Sequence, residues 1–426
     1  MSDTSDKTIL FWDASGDYLH VAEAVVPEYR EVLVYVPWES SFSTSRGLLA
    51  GIGLDGIEKV SDFFEHLDRA DVVVFTDVGN YGLQEWLRAR GKPVFGCGAG
   101  GKLETDRLAL KEACAQMGIL AAEAAPVHGI DNLAKILKKH DDLWVKLSYM
   151  RGHGETFHHD TWMSSQDRLL KMAVDMGPYK ELAQFIIETP ISDDDGPCVE
   201  IGFDTFCSDG VFPDEMLYGY EAKDAAYCGC VGTLPARLAD TRDKLSPMLA
   251  EVGYRGALST ETREVDSGSY LVDLTCRFPS PPSELMSKMI ENLGEVIWQV
   301  ANGEKPTPEY RYKYGAQIVL RSEWFFNQHP LAIKIGRPDR TAIHGHSIVN
   351  GQEYAVPVNE GVAELGGAIG MGDSLADAIA EAYEVADTID GCDIKWDSGA
   401  LRKAIEAAQD GEKLDITFGA TDYGEG

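Results

Sequence analysis

Basic residues are scarce in this chain of 426: 38 lysines and arginines stand against 70 aspartates and glutamates, a net charge of −32. Self-repulsion on that scale argues against nucleic acid or an anionic membrane surface as a partner. It leaves room for one local basic pocket, because net charge says little about a single cleft. No apolar run reaches the length of a membrane span. The opening residues, Met1-Ser-Asp-Thr-Ser-Asp, carry no secretory or transit signal, so the expected location is the cytoplasm. The eight cysteines form no CxxC pair and are expected as reduced thiols; Cys228-Gly-Cys230 alone makes no metal motif. GxSxG, HExxH and Walker A sequences are missing, and no clean GxGxxG follows the first strand. Triad hydrolysis, zinc proteolysis, P-loop chemistry and dinucleotide binding therefore lack their usual residues.

What is present is an alternation of strands and helices long enough for two to four domains. Thr8-Ile-Leu-Phe-Trp, Val32-Leu-Val-Tyr-Val, Val72-Val-Val-Phe and Pro93-Val-Phe-Gly read as strands, with loops and an amphipathic helix around Leu83–Arg88 between them. Short, wholly apolar strands in such an alternation predict a doubly wound parallel sheet over 1–103. A helix is expected from Asp106 to Met117, stopped by Gly118, and opens a second domain over 104–302. That domain holds a smaller unit at about 121–190, with strands Leu143-Trp-Val-Lys146-Leu and Gln184-Phe-Ile-Ile-Glu188 and a helix at Ser165–Met176. A helix is also expected over Ser283–Asn302. Gly303-Glu-Lys-Pro-Thr-Pro reads as a linker to a small mixed domain, 303–426, with strands at Gln317–Leu320 and Glu353–Val356 and a helix from Ser374 to Ile389. The fold class is thus α/β and α+β.

The stretch Glu261-Thr-Arg-Glu-Val-Asp-Ser-Gly-Ser-Tyr-Leu-Val-Asp273-Leu-Thr275-Cys-Arg277 carries the strongest chemical signal. Period two puts Asp273, Thr275 and Arg277 on one strand face and Val272, Leu274 and Cys276 on the other. A turn at Asp266-Ser-Gly-Ser would bring Glu261 alongside Asp273. Hard oxygen ligands suit Mg2+, and an arginine fork suits phosphate or carboxylate. Lys146 ends an apolar strand and precedes a glycine-bearing loop, Arg151-Gly152-His153-Gly154, an arrangement that can close over phosphates. Glu188 ends another strand. Arg107 and Lys111, four apart on one helix, read as exposed surface charge. His153, His158, His159 and Asp160 match no zinc spacing and read as a solvated loop.

The order of these features resembles the ATP-grasp superfamily: a basic residue opening a helix, a strand lysine with a glycine loop, a strand-end glutamate, then Glu…Asp-x-Thr-x-Arg. Within it the chain resembles the phosphoribosylamine–glycine ligase family over nearly its whole length. The match runs through Arg88-Ala-Arg-Gly-Lys-Pro-Val-Phe-Gly, Leu103-Glu-Thr-Asp-Arg107, Val199-Glu200-Ile-Gly-Phe-Asp and Arg277-Phe-Pro-Ser-Pro-Pro-Ser-Glu284. The resemblance implies an ATP-grasp fold with ATP as cosubstrate. Arg107, Lys146 and the flap residues Arg151, Gly152, His153 and Gly154 would hold its phosphates. Glu188 to Ile191 would form the adenosine hinge, with Glu200 on the strand that follows. Glu261, Asp273 and Thr275 would bind Mg2+, with Mn2+ as the alternative. Arg277 would stabilise the transferring phosphoryl group, and Lys223 is the lysine retained in the acceptor region. Thr275 stands where the family has a metal-binding asparagine, and Asp273 where it has a longer glutamate. The acceptor loops Tyr220-Glu-Ala-Lys223-Asp and Cys228-Gly-Cys230-Val-Gly differ from the family's.

The function these implications add up to is an ATP-dependent carboxylate–amine ligase working through an acyl phosphate, on small-molecule substrates, as a monomer or homodimer, with an acceptor other than the family's own. The rival is a catalytically decayed ATP-grasp protein that serves as a nucleotide-binding or structural module.

Overall fold

The computed structural model describes residues 4–37, 49–148, 156–192, 196–327, 329–358 and 362–418. Five strands, β1 (Thr8–Trp12), β2 (Glu31–Tyr35), β3 (Ile57–Lys59), β4 (Val72–Phe75) and β5 (Val94–Phe95), form a sheet in the order β3-β2-β1-β4-β5. Every pairing is parallel. All four residues of β4 are buried, as its unbroken apolar run requires of a strand covered on both faces. The helix Arg107–Met117 follows. Asp106 caps it by accepting from the Ala109 N–H, and Gly118 ends it at φ 67°, a left-handed conformation that glycine adopts without strain.

A small lobe comes next. Its strands β6 (Ala124–His128), β7 (Leu143–Leu147), β8 (Thr156–His159) and β9 (Gln184–Glu188) pair antiparallel in the order β6-β9-β7-β8. Helices Ile130–Leu137 and Trp162–Met176 close over a core of Leu133, Val145, Phe157, Leu169 and Phe185. Of the histidines expected in a solvated loop, His158 and His159 lie on β8 instead, and His153 lies outside the described residues. His159 is fully buried, with Nδ1 2.8 Å from the Ser165 hydroxyl and Nε2 3.0 Å from the carbonyls of Leu137 and His140. His158 sits between Asp142 and Asp160, 2.8 Å from each.

The large sheet begins with β10 (Val199–Ser208), β11 (Met216–Ala222), β12 (Ala226–Gly232), β13 (Arg255–Val265) and β14 (Gly268–Thr275). It continues past residue 303. β15 (Tyr314–Ser322) pairs antiparallel with β12. A side sheet holds β16 (Leu331–Lys334), β18 (His346–Val349) and β19 (Gln352–Ala355), while β17 (Thr341–Ile343) and β20 (Glu364–Gly372) rejoin the main path β14-β13-β10-β11-β12-β15-β20-β17. β21 (Asp390–Gly391) extends the side sheet and β22 (Ile394–Lys395) pairs with β15. The helix expected over Ser283–Asn302 is two, Ser283–Met289 and Leu293–Ala301. Between them Ile290 bridges to Tyr310, and the Glu291 N–H donates to the Glu309 carbonyl at 2.8 Å, so the backbone leaves the helix to pair with the following segment.

β13 and β14 form the expected hairpin, with Glu261 opposite Asp273. The register then slips: Thr262 faces Leu271, and Val272 has no partner. This bulge breaks the two-residue period. Val272 turns to the cleft side instead of joining Leu271 and Leu274 in the core, so the strand-face reading fails at that one residue.

Candidate functional site

A cleft of about 1210 Å3 lies between the small lobe and the large sheet. Lys146 reaches it from the end of β7, Glu188 to Ile191 from the end of β9, Glu200 from β10, Glu261 from β13, Asp273, Thr275 and Arg277 from β14 and its exit, and Lys223 from the turn after β11. Arg107 enters from the first turn of its helix. Distant stretches of chain therefore deliver the expected residues to one space. Arg151, Gly152, His153 and Gly154 lie outside the described residues.

The cations are buried and held. The Lys146 ammonium donates to the Val272 carbonyl at 2.9 Å and stands 3.3 Å from Glu188. That carbonyl is the one the bulge turns inward. Lys111 is not surface charge: its side chain is 10% exposed and its ammonium lies 2.8 Å from the other oxygen of Glu188. The carboxylate at the end of β9 thus sits between two lysines, and burial lowers the pKa of Lys111 against the pull of Glu188. Arg107, 4% exposed, binds Asp273 through Nη1. Glu200 pairs with Arg263 at 2.6 Å.

The carboxylates crowd one another. Burial, then Asp273 and Glu200, push Glu261 up to about 7 against the pull of Lys223 and Lys146. Burial lowers the Lys223 pKa, but Glu261, Glu200, Glu221 and Asp224 more than reverse it, so the net shift is upward. Among the described residues no three His, Cys, Asp or Glu side chains stand together in a set able to hold a metal ion. Glu261 and Asp273 are register partners, but Asp273 is occupied by Arg107. The uncompensated charge around Glu261 is the kind a divalent cation relieves, so the donors fit Mg2+ once Arg107 lets go.

Arg277 is held from several sides. Its Nε lies 2.9 Å from Glu104 and 3.2 Å from Asp77, and Nη1 donates to the Tyr18 hydroxyl. Glu104 also accepts from the Cys276 N–H at 2.6 Å. The sequence reading gave no role to Asp77, Tyr18, Asp17, His344 or Glu364, all of which line the cleft. A signal existed for the first three. They follow β1 and β4, and ligands of open parallel sheets bind at the carboxyl ends of strands. His344 and Glu364 come from distant chain with no local motif. Asp204 was missed as well. It lies in the cleft wall fully buried, accepts from the Tyr227 hydroxyl at 2.8 Å, and is pushed up to about 7 by burial against hydrogen bonds from Ser259 and Tyr227.

No protein-family model matches the sequence, and no curated protein matches it. Solved structures match its shape. Phosphoribosylamine–glycine ligase from Thermotoga maritima superposes with a TM-score of 0.70 at 15% identity, covering 91% of this chain and 98% of its own. The biotin carboxylase domain of 2-oxoglutarate carboxylase from Hydrogenobacter thermophilus, solved with Mg-ADP, ADP and bicarbonate, gives 0.63 at 11%, covering 94% and 98%. N5-carboxyaminoimidazole ribonucleotide synthetase from Thermus thermophilus gives 0.58 at 13%, covering 89% and 98%. At these identities the likeness is one of fold.

Proposed function

We propose, for a chain that has the ATP-grasp fold, an ATP-dependent ligase reaction that joins a carboxylate to an amine through an acyl phosphate. One observation carries this reading. Lys146, Arg107 and Arg277 converge on one cleft with Glu261 and Asp273, each cation resting on a protein carboxylate or carbonyl that a polyphosphate would replace.

ATP phosphates would draw Arg107 from Asp273 and Lys146 from Glu188. Asp273 would then join Glu261, with the Thr275 hydroxyl beside them, in holding Mg2+. Such an ion supplies charge neutralisation between phosphate oxygens. Glu188 to Ile191 would border the adenosine. The substrate carboxylate attacks the γ-phosphorus, ADP leaves, and Arg277 faces the phosphoryl group in transfer. An amine then attacks the acyl carbon and phosphate departs. The chain supplies no nucleophile; its residues position charge and exclude water. Lys223, among Glu261, Glu200 and Glu221, would face the acceptor side.

A screen of ADP release tests this, with carboxylates offered against amines and Asp273→Ala as control. Magnesium-dependent release that needs both substrates and is lost in Asp273→Ala supports the ligase. Nucleotide binding without release under any pair supports the rival, a nucleotide-binding module whose metal site has decayed at Thr275.

A further inference from the structure

The cleft that Arg277 lines is also lined by a histidine that the reaction above leaves unused. His344 is 4% exposed and lies between β17 and β18. Its Nε2 is 2.7 Å from Glu284, and Glu284 in turn accepts from the Ser280 hydroxyl at 2.8 Å, which fixes the ring. Its Nδ1 is buried and has no hydrogen-bond partner among the described residues; the Asp17 carboxylate stands 4.0 Å away, beyond hydrogen-bond reach. A buried ring nitrogen left open on a cleft wall is costly unless a ligand meets it.

The surroundings specify the ligand's charge. Asp17, Asp77, Glu284 and Glu364 face this end, against Arg277 and His344. The loop after β1 turns three of its N–H groups onto its own side chains. Its Gly16 and Tyr18 N–H groups donate to Asp13 at 3.0 and 3.1 Å, and the Asp17 N–H donates to the Ser15 hydroxyl at 3.2 Å. A phosphate would meet the carboxylates of Asp17, Asp77 and Glu364 here, and these three N–H groups are already engaged. A cation would be drawn in, also by the net charge of −32.

We propose that this end of the cleft is the subsite for an unphosphorylated acceptor amine that arrives as its ammonium ion, with Asp17 as counter-ion and Nδ1 of His344 taking its proton. The proposal rests on the ligase reading above. The N–H bond of the ammonium breaks and its proton passes to Nδ1. The freed lone pair attacks the acyl carbon, the C–O bond to phosphate breaks, and the departing phosphate takes the amine's second proton. Four charged or titratable groups face the ring: Glu284 from the helix Ser283–Met289, Asp17 from the β1 loop, Glu364 from β20, and His20, whose ring centre is 6.3 Å away. Burial pushes His20 down to about 4, so it is neutral. Burial works against protonation of His344 too, but the Glu284 hydrogen bond and the charge of Asp17 prevail and push it up to about 9. That places the ring within reach of an alkylammonium, whose ordinary pKa is about 10.4 in lysine. The ring acts when unprotonated, so acceptor-dependent turnover rises with pH through about 9.

Hydroxylamine separates the two readings, because it is a neutral amine at pH 7 and needs neither counter-ion nor base. Full-length protein is given ATP, Mg2+ and a panel of carboxylates, with hydroxylamine, ethanolamine or O-phosphoethanolamine as acceptor. We expect hydroxamate from hydroxylamine, amide from ethanolamine, and little from its phosphate ester. We expect His344→Gln and Asp17→Asn to lower amide formation about a hundredfold more than hydroxamate formation, and His344→Gln to abolish the alkaline rise. Equal losses in both products, or equal use of O-phosphoethanolamine, would overturn the subsite while leaving the ligase intact. No hydroxamate with any carboxylate would overturn the ligase itself. A calorimetric titration then decides the subsite alone: tighter binding of ethanolamine than of its phosphate ester, weakened by Asp17→Asn, upholds the subsite as a cation site, and the reverse order removes it.

Discussion

Replacing Arg277 removes contacts with Glu104, Asp77 and Tyr18 at once. Arg277→Ala should cost ~2.7–4 kcal/mol of transition-state stabilisation, by analogy with the loss of one oxyanion-hole donor. It also leaves Glu104, 1% exposed, without its cation, which should lower stability by about 3 kcal/mol. Arg277→Lys should restore much of the stability but not the turnover, since an ammonium cannot reproduce the fork. ADP-release kinetics beside urea melts separate the two effects; a Lys variant with normal turnover would contradict the role. Lys111→Met leaves Glu188 to Lys146 alone. With a charge-assisted hydrogen bond worth ~1.5 kcal/mol or more, KM for ATP should rise about tenfold while kcat holds. The Glu284–His344 pair sets a stability window. His344 sits above its ordinary 6.5, at about 9, so its contribution is full below 6.5 and is lost as pH climbs through 9. Glu284 sits below its ordinary 4.5, at about 2, so its contribution is full above 4.5 and is lost as pH falls through 2. Melting temperature against pH should show both flanks in the native chain, and His344→Gln should flatten the alkaline one.

The elements that the sequence made plain are those whose causes are local. Good helix formers between Asp106 and Gly118 define the helix that carries Arg107, and both caps form as the residue types dictate. Asp106→Ala should therefore cost about 1 kcal/mol in denaturation and weaken ATP binding through Arg107; unchanged ATP affinity would uncouple the cap from the site. The Asp266 turn fixed the β13–β14 hairpin, and the wholly apolar β4 marked the parallel sheet. What failed was set by distant chain. The break after Met289 comes from pairing with Glu309 to Arg311, and the burial of His159 comes from Ser165 and two carbonyls of the preceding helix and turn. Lys111 looked like solvent-facing charge because four-residue spacing holds no information about the lobe that folds down beside it. The bulge at Val272 has no sequence signature at all, since valine suits an ordinary strand as well as a bulged one.

At the scale of the whole molecule, 70 acids against 38 bases make folding work against self-repulsion. Added KCl should raise the melting temperature as that repulsion is screened, on a Debye length of about 10 Å at 0.1 M falling to 3 Å at 1 M; a melting temperature that drops with salt would mean that the surface ion pairs dominate instead. Among the contacts that join the lobes is the Lys111–Glu188 ion pair. Residues 119–123 lead from the large body into the small lobe, with Leu120 accepting from the Leu271 N–H at 2.8 Å, and Lys146 returns from the small lobe to the Val272 carbonyl. That last bond has a backbone acceptor. Any other residue placed at 272 would still offer a carbonyl there, so a library of substitutions will report position 272 as tolerant. From position 272 the latch it forms is silent to genetics. Replacing the amide after Val272 with an ester, which weakens that carbonyl as an acceptor while sparing every side chain, is the change that would expose it.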